Sequence, residues 1–257
     1  MVRASRQPPA TRTDPVQTVL ACDLGGTSFR AALIDAGGAT VAEAARPTGI
    51  PVAPDGRSEV DPDVWWQALI ACAGDLAAFA PEAFDAVAGI GICGITRSQV
   101  CLDADGAPLG PAITFRDSRA AAGLAGLRDR LPPDHPETGQ VNAAHPVARL
   151  AALPQALRER LAAVVDPKDD LNRRLTGRVA SDPVSLARLA AAARPGPDGR
   201  SLLQAIGLSD GIVPDLRDPT AAVGPVLRGL PAPLDRLAGR PVFCLCNDTW
   251  AGVLGLG

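Results

Sequence analysis

Near residue 60 the apolar positions of this chain change period, from short strand-like runs to helical spacing. Before that point lie three short runs, VQTVLACD (16–23), FRAALIDA (29–36) and ATVAEAAR (39–46), joined by LGGTS and GG. Apolar runs bounded by glycine turns predict strands, and turns this short predict an antiparallel meander. From Asp61 the period becomes helical. DPDVWWQALIACAGDLAAFA (61–80) opens with Asp61 as N-cap and Pro62 at the first helical position, and its apolar residues recur at helical spacing. AVAGIGICGI (86–95) reads as a buried strand and SQVCLDADGAPLGPAITF (98–115) as a hairpin across DADG. Helices are predicted over 117–131, 146–162, 167–176, 183–193 and 199–206, with AAVVD (162–166) a short strand among them. PVFCLCN (241–247) is the last strand, and TWAGVLGLG begins a helix after it. The Pro/Gly-rich ARPGPDGR (193–200) is a loop within one domain, and no internal repeat is visible. A meander followed by alternating helices and strands predicts an α/β fold with a mixed sheet, not a doubly wound parallel one.

Composition narrows the function classes. At 257 residues and 47% hydrophobic the chain is long enough to bury a full core. The opening MVRASRQPPATRTDP (1–15) has no apolar run, so it is read as a disordered tail and neither a signal peptide nor an anchor. No stretch approaches the roughly 18 uninterrupted apolar residues of a membrane span, which makes a cytoplasmic protein the expectation. The net charge of −3 and an aromatic content of 3% give nucleic acid no basic field and no stacking surface. Cys22, Cys72, Cys93, Cys101, Cys244 and Cys246 sit inside apolar patterns, as buried free thiols do in a reducing compartment. Among 25 basic residues only Lys168 is a lysine; it follows VVDP, so the chain holds no Gly-Lys-Ser/Thr phosphate loop.

Two glycine motifs invite opposite readings. GIGICG, with Gly89, Gly91 and Gly94, matches the dinucleotide fingerprint by letter, but a hairpin comes after it where a helix is required, so close strand packing explains the glycines. ACDLGGTSFRAALID is different: Asp23 ends a buried strand and Gly25, Gly26, Thr27 and Ser28 turn the chain back. Backbone N–H groups in such a turn can surround a phosphate, and the adjoining acid makes sense if Mg²⁺ intervenes. An ordinary hairpin with an exposed acid is the plain alternative. Asp248 stands just past the last strand, either as a reactive carboxylate or as a helix cap. Trp65 and Trp66 read as core and rim, and His135 and His145 as lone residues without a metal. Cys244 and Cys246 are expected on opposite faces of their strand. Alanine/arginine runs such as ARLAA are read as solvated helix faces.

Several of these stretches, in order, resemble one family. DLGGTSFRAALID is similar to the first phosphate loop of the actin-like and hexokinase-like ATPases, and GRSEVDPDVWWQAL narrows the likeness to the FGGY carbohydrate kinases, xylulokinase-like members in particular. GICGITRSQVCLDADGAPLGPAITFRDSRA, DPKDDLNRRLTGRVASDP and CNDTWAGVLGLG continue it, so the resemblance covers residues 18–257. It implies an actin-like/ribonuclease H-like ATPase fold with a mixed sheet flanked by helices, and transfer of phosphate from ATP to a sugar or polyol hydroxyl. Asp248 matches the catalytic aspartate that takes the hydroxyl proton. Asp23 matches the carboxylate that contacts Mg²⁺, through water; Gly25, Gly26 and Thr27 match the phosphate turn, and Arg30 its basic neighbour. Thr96 and Arg97 align with the pair that meets sugar hydroxyls, and Asp117 with an acid lining the sugar cleft. Lys168 and Asp182 fall on positions expected to be structural. The chain departs from the family at Thr96–Arg97, and at Phe115 and Arg116 where Trp and Asn are usual, so xylulose cannot simply be copied across.

The resemblance also implies a partner. Family members run to about twice this length, so residues 16–257 are expected to be the sugar-binding N-terminal domain, with the C-terminal ATP-binding domain absent and the isolated piece inactive. A non-catalytic sugar-binding or regulatory module, or a piece completed by a separately encoded second half, are the alternatives. TWAGVLGLG is the expected centre of an apolar docking surface, on which a homodimer can form.

Overall fold

The computed structural model describes residues 3–4 and 17–255; the expected tail, apart from Arg3–Ala4, and the last two residues lie outside the described residues. Three strands, β2 (Thr18–Leu24), β3 (Ser28–Asp35) and β4 (Thr40–Pro47), form the predicted meander, with β1 (Arg3–Ala4) pairing along the outer edge of β4. After β5 (Glu59–Val60) come α1 (Pro62–Phe79), α2 (Pro81–Asp85) and β6 (Val87–Gly94), which returns parallel to β2. The sheet order is β1-β4-β3-β2-β6-β13-β12, where β13 (Pro241–Phe243) is parallel to β6 and β12 (Ala222–Pro225) closes the far edge antiparallel. The sheet is therefore mixed, as the sequence pattern requires.

The period-two pattern of β2 decides which face is covered. Leu20, Cys22 and Leu24 are buried beneath α1, whose Trp65, Leu69, Cys72 and Leu76 point at the sheet, while Val19 stays exposed on the opposite face. Each fully buried leucine of this layer contributes about 1.5–3 kcal/mol. α1 starts where the sequence says it should: Asp61 accepts a hydrogen bond from the Asp63 amide, with Pro62 at the first turn. Trp66 lies at the rim, with the Arg174 guanidinium over its ring.

Between β6 and β13 the chain runs through short elements: β7 (Val100–Leu102), β8 (Ala112–Ile113), α3 (Leu124–Arg128), α4 (Pro146–Ala151), α5 (Gln155–Arg158), β9 (Ala163–Val165), α6 (Pro167–Thr176), β10 (Ala180–Ser181), α7 (Ala187–Ala192), α8 (Leu202–Ala205) and β11 (Asp215–Leu216). β7, β8 and α6 extend the first core with Val100, Leu102, Ala112, Leu171 and Leu175, and α3, α4, α7 and α8 build a second apolar cluster. Leu127, Val147, Leu150, Leu189, Leu202 and Leu203 are its buried members. The last helix is α9 (Asp248–Gly255). Among the described residues no helix is long and apolar enough to cross a membrane.

The predicted helices are shortened for identifiable reasons. The run 146–162 breaks at Pro154, which cannot continue a helix. The run 117–131 begins as a 3₁₀ turn, Arg119–Gly123, before α3. The stretch before α7 is taken up by Asp182, whose Oδ1 accepts from the Val184 and Ser185 amides. The predicted hairpin across DADG forms, with Asp103 accepting from Asp105 and Ala107 and antiparallel bridges from Leu102 to Pro108 and from Gln99 to Ile113; its arms pair outward as well, β7 with β9 and β8 with β5. All six cysteines are free, and Cys93 and Cys101 are only partly buried.

The final strand ends earlier than its apolar letters suggest. Phe243 is its last residue, and Leu245 takes a left-handed backbone at φ 50, so the period-two rule that placed Cys244 and Cys246 on opposite faces does not apply; both are buried. The glycines of β6 explain the room. A Cβ at Gly89 would meet Phe243 at 2.8 Å, one at Gly91 would meet Leu245 at 2.8 Å, and one at Gly94 would meet Leu24 at 2.8 Å. GIGICG is thus a packing motif of three adjacent chain segments.

Candidate active site

The ends of three parallel segments define the site. Leu24 of β2 lies opposite Gly94 of β6, and Gly94 in turn bridges to Asn247 beyond β13, so the carboxyl ends of β2, β6 and the last strand stand side by side. In open α/β sheets this is the edge at which ligands bind. Asp23 and Asp248, distant in sequence, are delivered to it together.

Asp248 begins α9 but does not cap it. The Asn247 side chain accepts from the Trp250 amide at 3.1 Å, and Asp248 Oδ1 accepts only from its neighbour, from the Thr249 amide at 2.6 Å and the Thr249 hydroxyl at 3.2 Å. Its Oδ2 has no hydrogen-bond partner among the described residues, and the side chain is half-exposed. One carboxylate oxygen is therefore free at the site.

Asp23 is placed by strand register between Arg30 on β3 and Cys93 on β6. Burial pushes its carboxyl above the usual range, the Asp248 charge pushes it further, and Arg30 works in the other direction without forming an ion pair. Cys93 is pushed up to about 11 by burial and then by Asp23 and Asp248. The turn between β2 and β3 is held by the Gly25 amide, which donates to the Ser28 carbonyl at 3.0 Å; a Cβ at Gly25 would sit 3.1 Å from that carbonyl. The amides of Gly26 and Thr27 have no acceptor among the described residues, and Thr27 and Arg30 are exposed.

Beyond β6 the chain turns into a cavity of about 210 Å³. Thr96 stands at its edge, its hydroxyl donating to Asp166 Oδ2 at 3.2 Å, and Arg97 lines it from a left-handed backbone at φ 60. Asp166 is buried in the wall, and burial followed by the charge of Asp169 drives its carboxyl well above the usual range. His145 lines the wall as well; its Nδ1 accepts from the Val147 amide and its Nε2 faces Glu137 at 3.4 Å. Neither it nor His135, whose ring meets the Arg194 carbonyl, belongs to a metal-binding cluster among the described residues.

Asp117 is 5% exposed, and its oxygens are committed to the Ser58 amide at 2.9 Å and to Arg119, whose Nη2 donates at 2.7 Å. These bonds, against burial, hold its carboxyl below the usual range. Arg119 also reaches Glu59 at 2.5 Å, so Asp117 fixes the loop that carries Phe115 and Arg116.

Lys168 anchors the site from beneath. Its Nζ lies 2.6 Å from Asp169 and 2.9 Å from Asp182, all three fully buried, and it donates to the Cys244 carbonyl at 3.3 Å. Burial opposes the lysine charge, but the two carboxylates outweigh it and hold its pKa above the ordinary value. This cluster ties α6 to the segment leading into Asp248.

Sequence reasoning missed four cavity residues: Gln99, Arg149, Asp166 and Ser185. Arg149 lies in an Ala/Arg run read as a solvated face, yet it is 3% exposed, with its guanidinium bonded to the carbonyls of Arg97, Phe115 and Asp117. A signal existed for Asp166, which abuts the helix-opening Pro167 after an apolar strand. Gln99 and Ser185 carry no local signal; only the tertiary fold brings them together.

Known proteins match this chain over nearly all of its described length. Residues 18–255 match the model described as the FGGY family of carbohydrate kinases, N-terminal domain. The chain is 30% identical over 248 residues to the xylulose kinase of Escherichia coli K12, covering 91% of this chain and 49% of that protein. It is 30% identical over 249 residues to the xylulose kinase of Streptomyces coelicolor, covering 93% and 50%. The crystal structure of xylulose kinase from Rhodospirillum rubrum superimposes with a TM-score of 0.81 at 26% identity, covering 94% of this chain and 51% of that one. The chain spans about half the length of the curated relatives it matches.

Proposed function

This chain belongs to the FGGY family of carbohydrate kinases, and from that premise we propose that it supplies the acceptor-binding half and the catalytic carboxylate of an enzyme that transfers phosphate from ATP to a sugar or polyol hydroxyl. The observation that carries the reading is the free oxygen of Asp248 at the strand edge shared with Asp23. A base for phosphoryl transfer must reach the acceptor hydroxyl while staying out of structural bonds. Asp248 meets that requirement because Asn247 does the capping.

In this mechanism the acceptor lies in the cavity behind Arg97, with its reacting hydroxyl toward Asp248. Asp248 accepts the hydroxyl proton as the oxygen bonds to phosphorus. Thr96 and Arg97 orient the remaining oxygens, and Asp117 acts on the acceptor side by fixing the Phe115–Arg116 loop. The unpaired amides of Gly26 and Thr27, with Arg30 beside them, suit the phosphates of ATP.

A divalent cation fits the same edge. Burial and a second carboxylate raise the Asp23 carboxyl, and a cation relieves that repulsion; oxygen donors of this kind suit Mg²⁺. Asp23 would hold it, through water, and bound Mg²⁺ would supply neutralisation of phosphate charge. We assign the adenosine-binding half of the enzyme to a second domain, since the relatives are about twice as long. The chain by itself is then a poor catalyst, and its cellular site is the cytoplasm, where its donor resides.

The relatives' names point to a ketopentose. Arg97 lines the cavity of this chain, and the acceptor class is a sugar or polyol. Titrating a panel of alditols, ketoses and aldonates into the chain by calorimetry tests the reading. At least one member should bind, and Asp248→Asn should weaken it about tenfold through loss of a charge-assisted hydrogen bond. Binding untouched by that substitution would remove Asp248 from the acceptor.

A further inference from the structure

The 210 Å³ cavity behind Arg97 holds more unpaired polar atoms than any other part of the described structure. Gln99 is 5% exposed, and neither its Oε1 nor its Nε2 has a hydrogen-bond partner; the Ser185 hydroxyl is buried without one; so is Arg149 Nε. Buried polar atoms in folded proteins are almost always paired. All three residues line this one cavity, so their partners belong to whatever fills it.

The charges add a second, independent signal. Cationic groups at the cavity are Arg97, Arg149 and Arg188, and the anionic ones are Glu137 and Asp166. Glu137 is used by Arg188 at 3.0 Å and by His145. Asp166 lies buried against Asp169 and accepts from the Thr96 hydroxyl; burial, then Asp169, raises its carboxyl well above the usual range, against the pull of that hydrogen bond. Asp117, the other acid near Arg149, is chelated by Arg119.

Arg149 itself donates only to backbone carbonyls, and among the described residues neither it nor Arg97 has a carboxylate within ion-pair distance. A buried guanidinium without an ion-pair partner is costly; the Asp117 charge offsets part of that cost for Arg149, and the Arg97 charge adds to it. The backbone of Arg97 adds to this: a non-glycine residue held at φ 60 brings its carbonyl to Arg149 while its side chain lines the cavity. Two guanidiniums and a set of unpaired amide and hydroxyl groups thus converge on one small space.

We propose that the cavity takes a polyhydroxylated carboxylate, a sugar acid, with its carboxylate between Arg97 and Arg149 and its hydroxyls on Gln99 and Ser185. This names the acceptor class of the kinase site and rests on that reading. A guanidinium fork matches a carboxylate in a way it does not match a single hydroxyl. An uncharged polyol would satisfy Gln99 and Ser185 and leave the buried Arg149 without an ion-pair partner.

The test compares aldonates of four to six carbons with the alditols of the same length, by calorimetry on the whole 257-residue chain at low ionic strength. The best aldonate should bind at least about tenfold more tightly than its alditol. That advantage should shrink with added salt and drop below about threefold in Arg97→Gln, an exposed position at which the fold tolerates the change. Circular dichroism verifies folding, and Arg149→Lys, which keeps the charge but removes the fork, should lose most of the advantage as well. If an alditol or ketose binds and no aldonate binds better, or if Arg97→Gln keeps the full advantage, the sugar-acid assignment is wrong while the acceptor site stands. If no member of either series binds, both fall.

Discussion

Asp23 and Asp248 meet at one sheet edge although they lie near opposite ends of the chain: Asp23 is the last residue but one of β2, Asp248 comes just after the last strand, and Gly94 of β6 pairs with the neighbour of each. After burial, the Asp248 charge is the main influence raising the Asp23 carboxyl. Both also act on the Cys93 thiol, which burial and these charges push up to about 11.

That relationship predicts a reactivity change. In Asp23→Asn the Cys93 pKa falls, the thiolate fraction at pH 8 rises, and alkylation of Cys93 by iodoacetamide should accelerate about two- to fivefold. Peptide mapping with time identifies the site. Asp105→Asn, on an exposed turn, should leave the rate unchanged; an unchanged rate in Asp23→Asn would mean that the two groups do not share an electrostatic site.

Asp166 predicts a pH dependence of stability. Its folded-state carboxyl lies well above the ordinary value of about 3.9, because of burial and then Asp169. A raised acid holds its proton longer in the folded chain, so its favourable contribution is present below the unfolded pKa and is lost as pH rises through the folded one. Asp166→Asn removes that loss. Urea titrations should show the variant more stable than the parent at pH 8 by about 1 kcal/mol or more, with the difference shrinking toward pH 4. A difference independent of pH would contradict the assignment.

Lys168 predicts a large loss. Lys168→Met leaves Asp169 and Asp182 buried without their cation, and breaking such a cluster by removing one partner costs about 3–5 kcal/mol. The urea midpoint should drop accordingly. A Lys168→Met, Asp169→Leu pair should recover part of the loss, which a lysine acting through packing alone would not allow.

How much of this was legible in the letters depends on the range of the interaction. The meander, α1 with its Asp61 cap, and α6 are set by neighbours a few residues apart, and the local pattern names them, although the capping box of Asp166 and Asp169 that opens α6 appears only in the structure. Asp23, Asp248 and the Gly25–Thr27 turn sit in ordered motifs, so a family resemblance could point to them. Gln99, Ser185 and Arg149 could not be found that way, because what marks them is the absence of a partner after folding. Leu245 shows the opposite failure: its run reads as uninterrupted strand, and only contact with Gly91 reveals why the backbone leaves it.

The exposed end of α9 predicts self-association. Trp250 and Val253 are each 53% exposed on the first turns of this helix. An apolar surface of this kind draws a second copy when nothing else covers it. Sedimentation velocity of the chain should show concentration-dependent dimers that Trp250→Glu abolishes. A strictly monomeric parent at high concentration would count against α9 as an association surface.

The most direct measurement is acceptor phosphorylation. The chain alone, and the chain joined to the ATP-binding half of the Rhodospirillum rubrum xylulose kinase, are incubated with Mg-ATP and the acceptor panel, and products are identified by mass spectrometry. The joined protein should form a sugar phosphate at least about 100-fold faster than the chain alone, since productive alignment needs both halves. Asp248→Asn in the joined protein should cut that rate by about 10²–10⁴ at saturating acceptor, well beyond its roughly tenfold effect on acceptor binding. Undiminished product from Asp248→Asn would contradict its role as base, and a joined protein that binds an acceptor and ATP yet never phosphorylates it would make this chain a sugar-binding module instead of half a kinase.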